Sequence, residues 1–333
     1  MYCGRELGES MNDLLIRNPV LLVGIGGAGS KIAQTASSNV GCKCLFISND
    51  RKDLSDKVGS SVLLDSAGWV NPSSGKLRSF AQLRENEIGS AIKGYPTIIV
   101  VSNLAGRSGA AISPVVSKLA KQENATVITI AIMPFKFEKD RLFGAGIALR
   151  RLRETSDSVI VMDNDAFLDN NPELPQQECY GLTNSAIVEV ITSISAGGIS
   201  PKVNVLCTSK TGSDSETSLR DSAAMLYQDV PEPASIKRAV VYVMGGDRVP
   251  VGELARITGY VQGMFREEGS TEVAMYSVMA SDGVRVHLVA PAPQKTRFDR
   301  YDPLGDLIPK ENVLDWDDLD SAPDIDLAIP NIE

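Results

Sequence analysis

Two turns rich in small residues, each set between an apolar run and a helical pattern, constrain this chain more than any other feature. The first, VGIGGAGSKIA (residues 23–33), carries G-x-G-x-x-G at Gly24, Gly26 and Gly29 and follows the apolar run at 20–23. The second lies in SNLAGRSGAAISPVVSKLAK (residues 102–121), after TIIVV and before another helical pattern. Such a turn offers backbone N–H groups and the positive end of a helix to an anion. Taken alone, the first turn matches a dinucleotide fingerprint, with Asp50 after the second apolar run as its ribose ligand. That fold needs only one phosphate turn, at its first strand–helix junction. Two turns from two different strands are a better fit to a di- or triphosphate gripped from both sides.

The surrounding pattern agrees. Apolar, β-rich runs at 20–23, 44–47, 97–101, 126–132 and 158–162 alternate with helical patterns at 30–38, 77–93 and 115–122. This alternation predicts a parallel, doubly wound sheet that binds ligands at the carboxyl ends of its strands. Residues 184–196, with Ile187, Val188, Val190, Ile191 and Ile194, are apolar on nearly every side and predict a core helix between two domains. After the polar stretch 208–218 come an apolar run at 238–244, a helical pattern at 249–265 and alternating runs at 272–280 and 284–290. Those last two runs are expected to form a hairpin across Ser281, Asp282 and Gly283. The fold class expected is α/β: a Rossmann-like parallel-sheet domain, a central core helix, a smaller α+β C-terminal domain and an acidic tail.

Composition removes several function classes. With 333 residues, 43% of them hydrophobic, the chain can build two full cores. It has no apolar run of about 18 residues and its first residues lack an apolar stretch of signal length, so a cytoplasmic location without a membrane span is expected. Cys3, Cys42, Cys44, Cys179 and Cys207 include no C-x-x-C pair, which predicts reduced structural thiols and no metal site. The single histidine, His287, sits in the alternating VRVHLV and is expected to be structural. Of the net charge of −9, most belongs to the tail, where nine acids from Asp306 onward face the one base Lys310. A near-neutral body argues against nucleic acid as the ligand.

Several stretches, in order, resemble the tubulin/FtsZ superfamily in its prokaryotic FtsZ-like form, archaeal members included. GIGGAGSKIA looks like that family's first glycine loop, and AGRSGAAISP (105–114) aligns without gaps on its signature GGGTGTGAAP. FISNDRKDL (46–54) resembles the loop after the second strand, MPFKFEKDR (133–141) resembles KPFxFExxxR, and SDSVIVMDNDAFL (156–168) resembles VDSLIVIPNDxLL. CYGLTNS (179–185) is similar to AFxAAND, and AVVYVMGG (239–246) to the first strand of the family's second domain. The resemblance covers roughly residues 19–293. It implies an N-terminal extension at 1–18, a nucleotide-binding domain at 19–178, a central helix and catalytic loop at 179–212, an α+β domain at 213–293 and a linker with a partner-binding tail at 294–333.

Carried over residue by residue, the resemblance implies that Gly26, Gly27 and Ala28 bring amides to the phosphates of GTP or GDP, with Mg2+ allowed for, and that Ser30 contacts the nucleotide. Gly106, Ser108, Gly109 and Ala110 would hold the β- and γ-phosphates, with Arg107 counted among the nucleotide-binding residues. Glu138 would bind the ribose, a role Asp50 thereby loses, and Arg141 would lie near the phosphates. Asn164 would read the guanine edge and Tyr180 stack on its face, with Asn184 and Ser185 beside them.

The departures matter as much. Arg107 replaces a glycine, so its cation either bends outward or stands against the phosphates. Lys31 adds charge near the first turn, and Ser185 stands where the family has an aspartate that pairs with guanine. The family's hydrolytic loop N-x-D-x-x-D corresponds to SPKVNVLCTSKTG, where alignment on Asn204 puts Leu206 and Ser209 at the acidic positions. Alignment on Pro201 puts Cys207 and Lys210 there instead. No carboxylate results in either register, with Asp214 and Glu216 the nearest acids, so weak or absent GTP hydrolysis is expected. The tail SAPDIDLAIPNIE resembles the family's C-terminal peptide, so Ile325, Leu327, Ile329 and Pro330 would dock on a membrane-tethering adaptor. The leading expectation is a GTP-binding cytoskeletal protein that self-associates head to tail, in cell division or shape control and at the division site. The alternatives are a scaffold that recruits partners through its tail without nucleotide and an NAD-linked oxidoreductase.

Overall fold

The structure is a computed structural model that describes residues 14–66, 69, 71–165, 172–194, 199–210, 215–232, 236, 238–245, 249–264, 272–278, 283–292 and 295–303. Within them, ten strands form one sheet in the order β3-β2-β1-β4-β5-β6-β7-β10-β8-β9. The strands are β1 Val20–Ile25, β2 Lys43–Ser48, β3 Ser60–Leu63, β4 Thr97–Asn103, β5 Thr126–Met133, β6 Ser158–Asp163, β7 Lys202–Thr208, β8 Arg238–Met244, β9 Glu272–Val278 and β10 Arg285–Pro291. Helices fall at α1 Gly26–Val40, α2 Ser74–Leu83, α3 Glu85–Ile92, α4 Arg107–Gln122, α5 Lys139–Thr155, α6 Gln176–Ile194, α7 Ser215–Asp229 and α8 Val251–Met264.

Strands β3 through β7 run parallel, and helices cover both faces of them. On β1, Leu22 packs with Ile32 and Ala36 of α1 on one face, whereas Leu21 and Val23 pack with Ile88, Ile112 and Val116 on the other. A strand buried on both faces can use apolar residues at every position, which is why these strands read as unbroken apolar runs. The core helix is where the sequence put it: Ile187, Val188, Val190, Ile191 and Ile194 of α6 are all buried, in one apolar cluster with β1, β7, β8 and β10.

Several expectations require correction. Residues 77–93 form two helices, because the chain breaks at Arg84. Helix α4 begins at Arg107 rather than 115 and runs through Pro114, which has no N–H for the bond to Ala110. The expected hairpin does not form: β9 pairs with β8 in parallel, while β10 inserts between β7 and β8, antiparallel to both. Lastly, the segment read as a degenerate loop is largely strand β7, held between β6 and β10. Asn204 and Leu206 lie within it and Ser209 just beyond, all three buried. The Asn204 amide donates to Ser158 Oγ at 3.0 Å and to the Ser200 carbonyl at 2.9 Å.

The linker assigned from residue 294 also begins later, since residues 295–303 pack on α5 with Phe298 fully buried. Arg153 pairs with Asp299, and Arg150 with Asp302 at 3.2 Å. Arg297 joins buried Asp163 at the end of β6 to Asp229 of α7. Gly146 of α5 allows this close approach, for a Cβ there would lie 2.7 Å from the Tyr301 carbonyl carbon.

Candidate functional site

The first turn links β1 to α1 through Gly26, whose φ of +66° is the left-handed conformation that glycine adopts without strain. Two of its glycines are required by packing. A Cβ on Gly29 would stand 2.3 Å from the Val101 carbonyl oxygen of β4, and one on Gly24 would stand 2.6 Å from Ser30 Cα. No side chain caps α1 and none of its first-turn residues is acidic, so its leading N–H groups face outward with the positive end of the helix. Gly27 is exposed and Ala28 half-buried, but Ser30 is fully buried and its hydroxyl donates to the Gly24 carbonyl at 3.3 Å. Ser30 therefore braces the turn from within.

Two acids in the following loop have separate tasks. Asp50 caps the short 3-10 turn Arg51–Asp53 by accepting from the Lys52 amide at 2.9 Å. Asp53 accepts the Ser48 hydroxyl at 2.6 Å and sets its other oxygen beside Gly27, 2.6 Å from where a Cβ would be. The sequence reading missed Asp53; its signal was its place in the quoted loop FISNDRKDL.

The second turn joins β4 to α4 alongside the first. Ser108 Cβ is 3.5 Å from the position of a Gly26 Cβ, and its hydroxyl donates to Asn49 Oδ1 at 2.5 Å. Gly109 is buried under the carbonyl of Asn103, 2.1 Å from where its Cβ would be, whereas Gly106 caps α4 with its nearest such contact at 3.4 Å. Arg107 extends outward, and its Nη1 donates to the Asn71 carbonyl at 3.1 Å.

Beside this turn lies a cavity of about 460 Å³, a size suited to a small ligand. Its walls are Gly106, Arg107 and Ala110 of the second turn, Asn71 and Ser74 at the start of α2, and Asp140, Arg141 and Gly144 in the first turns of α5. The amino ends of three helices thus meet with two guanidiniums and one carboxylate, an arrangement that attracts a polyanion.

From Arg141 a row of contacts leads away from the cavity. Arg141 Nη1 donates to Glu138 Oε1 at 2.8 Å, and Glu138 Oε2 accepts from the Phe135 amide at 3.1 Å. Phe135 stacks on exposed Phe137, with centroids 5.1 Å apart, and meets Tyr180 edge-on at 5.4 Å. Burial, and then the Glu138 carboxylate, push the Tyr180 phenol above its ordinary pKa, so it stays neutral. Asn184 lies one helical turn beyond Tyr180, with Ser185 next to it, both half-buried.

Asn164, expected to read the guanine edge, is oriented by hydrogen bonds within the protein. It is 1% exposed, its Nδ2 donates to the Met133 carbonyl at 3.1 Å, and its Oδ1 accepts the Thr183 hydroxyl at 3.0 Å. His287 is structural, as expected. Its Nε2 lies 2.6 Å from Glu189, which also pairs with Arg285 at 2.9 Å, and its Nδ1 lies 2.8 Å from the Thr208 hydroxyl. Complete burial holds the imidazole below its ordinary pKa, which leaves it neutral and donating from Nε2.

Residues 19–172 match the family described as Tubulin/FtsZ family, GTPase domain. Cell division protein FtsZ 2 of Methanocaldococcus jannaschii is 27% identical over 202 residues, which are 58% of this chain and 50% of that protein. Cell division protein FtsZ 2 of Halobacterium salinarum is 29% identical over 186 residues, 53% of this chain and 47% of that protein. The chain spans about half the length of the curated relatives it matches. Among solved structures, an FtsZ dimer of M. jannaschii superposes with a TM-score of 0.66 at 20% identity, covering 81% of this chain and 87% of that one. CetZ2 of Haloferax volcanii, a GTPγS-bound protofilament, gives 0.64 at 21% identity, covering 85% and 97%. Residues 19–172 thus carry the match to the Tubulin/FtsZ GTPase-domain family, and the chain is FtsZ-like, with a fold shared with archaeal FtsZ over most of its length.

Proposed function

We propose that this chain binds a guanosine tri- or diphosphate and self-associates head to tail as a cytoskeletal protein, in cell division or shape control. The observation that carries this reading is the cavity where the starts of α2, α4 and α5 converge with Arg107 and Arg141, beside the contact between the two glycine turns. The phosphates belong in that cavity and the base belongs toward Tyr180, Asn184 and Ser185. Selection of guanine is shared between Asn164, whose amide is oriented by Met133 and Thr183, and the α6 residues. Among the described residues the one carboxylate on the cavity wall is Asp140, so an accompanying Mg2+ would be held mainly by phosphate oxygens and water. Self-association draws its support from the fold shared with a protofilament-forming relative.

Hydrolysis is slow or lost in this reading. Asn204, Leu206 and Ser209 offer no carboxylate and are buried, and Glu216 is engaged with Arg220 at 2.6 Å. Residues Ile325, Leu327, Ile329 and Pro330, the expected adaptor-binding peptide, lie outside the described residues, as does Asp214. The test is to measure binding of radiolabelled GTP and ATP, phosphate release and pelleting under one set of conditions. Nucleotide-dependent pelleting without phosphate release is expected. Rapid release would overturn the argument from the missing carboxylates, and pelleting indifferent to nucleotide would favour the scaffold.

A further inference from the structure

Arg107 supplies an inference that rests on the nucleotide reading above and goes beyond it. It is the exposed first residue of α4, at the place where the resembling loop has glycine. Its bond to the Asn71 carbonyl holds the guanidinium on the α2 side of the cavity, and among the described residues the other N–H donors of the fork make no hydrogen bond. Asn71 is itself in the left-handed region, with φ of 57°, and that backbone conformation orients the carbonyl.

The contacts form an ordered row. Tyr180 meets Phe135, the Phe135 amide bonds Glu138, Glu138 pairs with Arg141, and Arg141 lines the cavity from α5, whereas Arg107, on α4 that packs on both α5 and α2, is tied to Asn71 on the α2 side. A ligand whose base is held toward Tyr180 meets Arg141 first and Arg107 last. Near Arg141, Asp140 already offsets part of the positive charge, and across the glycine turns Asp53 places a carboxylate beside Gly27. Each added phosphate increases the negative charge, and Arg107 is the cation placed to meet the last of them. We propose that Arg107 recognises the terminal phosphate of a nucleoside triphosphate and is the residue by which this chain distinguishes tri- from diphosphate. The planar fork binds two phosphate oxygens at once, which a glycine amide cannot do.

The test compares equilibrium binding of GTP, its non-hydrolysable imido analogue and GDP to the full chain, to Arg107→Ala and to Arg107→Lys, with thermal unfolding run on each. The wild type is expected to prefer both triphosphates over GDP. Arg107→Ala should lose on the order of tenfold in triphosphate affinity and less than about twofold for GDP, the scale of one charge-assisted contact at a solvent-facing site. Arg107→Lys should fall between them. An equal loss for GTP and GDP, or tighter GTP binding by Arg107→Ala, would overturn the assignment of Arg107 alone. A wild-type protein that binds neither nucleotide would overturn the nucleotide reading itself, so the two failures are distinguishable.

Discussion

The two glycine turns lie side by side and deliver helix ends to the same region, yet they are built differently. In the first, Gly24 and Gly29 are each pressed against backbone, and the turn's outer surface carries Asp53 against Gly27. In the second, only Gly109 is pressed in this way; Gly106 has room, Arg107 faces outward and the adjoining space is a cation-lined cavity. The glycines that cannot change are those where helix meets strand, and positions between them are free to take on chemistry. That freedom explains how an arginine can occupy a signature loop without disturbing the fold.

The contrast is open to direct challenge. The largest effect is expected from Gly29→Ala and Gly109→Ala, whose new Cβ atoms would lie 2.3 Å and 2.1 Å from carbonyl oxygens of β4 that cannot yield. Each should lose about 3 kcal/mol in denaturant unfolding, the upper range for forced overpacking. If either variant unfolds like the wild type, these contacts do not define the turns. Gly26→Ala should lose less, about 1–2 kcal/mol, because the nearest atom is an acceptable 3.5 Å away and only the left-handed backbone is penalised. The smallest effect on stability belongs to Asp53→Asn, roughly 0.5 kcal/mol from losing a carboxylate near the start of α1. This variant should bind GTP a few-fold more tightly, since a negative charge beside the first turn is gone. Weaker binding would instead mark Asp53 as part of the ligand's support and would make the two turns more alike.

Much of the half that carries the two glycine turns was legible before any coordinates. Residues 20–23, 97–101 and 126–132 read as strands because both their faces are covered, so burial imposes no alternation to misread. Strand β7 was not legible: its VNVLCT run was short, lay between polar stretches and matched the position of a loop in the resembling family. What makes it a strand is pairing with β6 and with β10, the latter about 80 residues away in the chain. The hairpin expectation failed for the same reason, since two alternating runs with a turn between them carry no record that β8 offers an edge on each side. Asn164 shows a parallel limit in the site. Its residue type suits reading a base, but the two partners that orient its amide come from β5 and α6, segments distant from it in the chain.

By itself, the sequence determined the two turns, the strand–helix alternation and the central apolar helix, because glycine spacing and hydrophobic period act over neighbouring residues. It also determined the absence of acids at Leu206 and Ser209, which is a matter of residue identity. Only the tertiary structure decided that Arg107, Arg141 and Ser74 line one cavity, that Asp53 stands at the first turn and that β10 lies between β7 and β8. Those arrangements come from contacts between distant segments, and their free energy is gained only when the sheet and its covering helices close together.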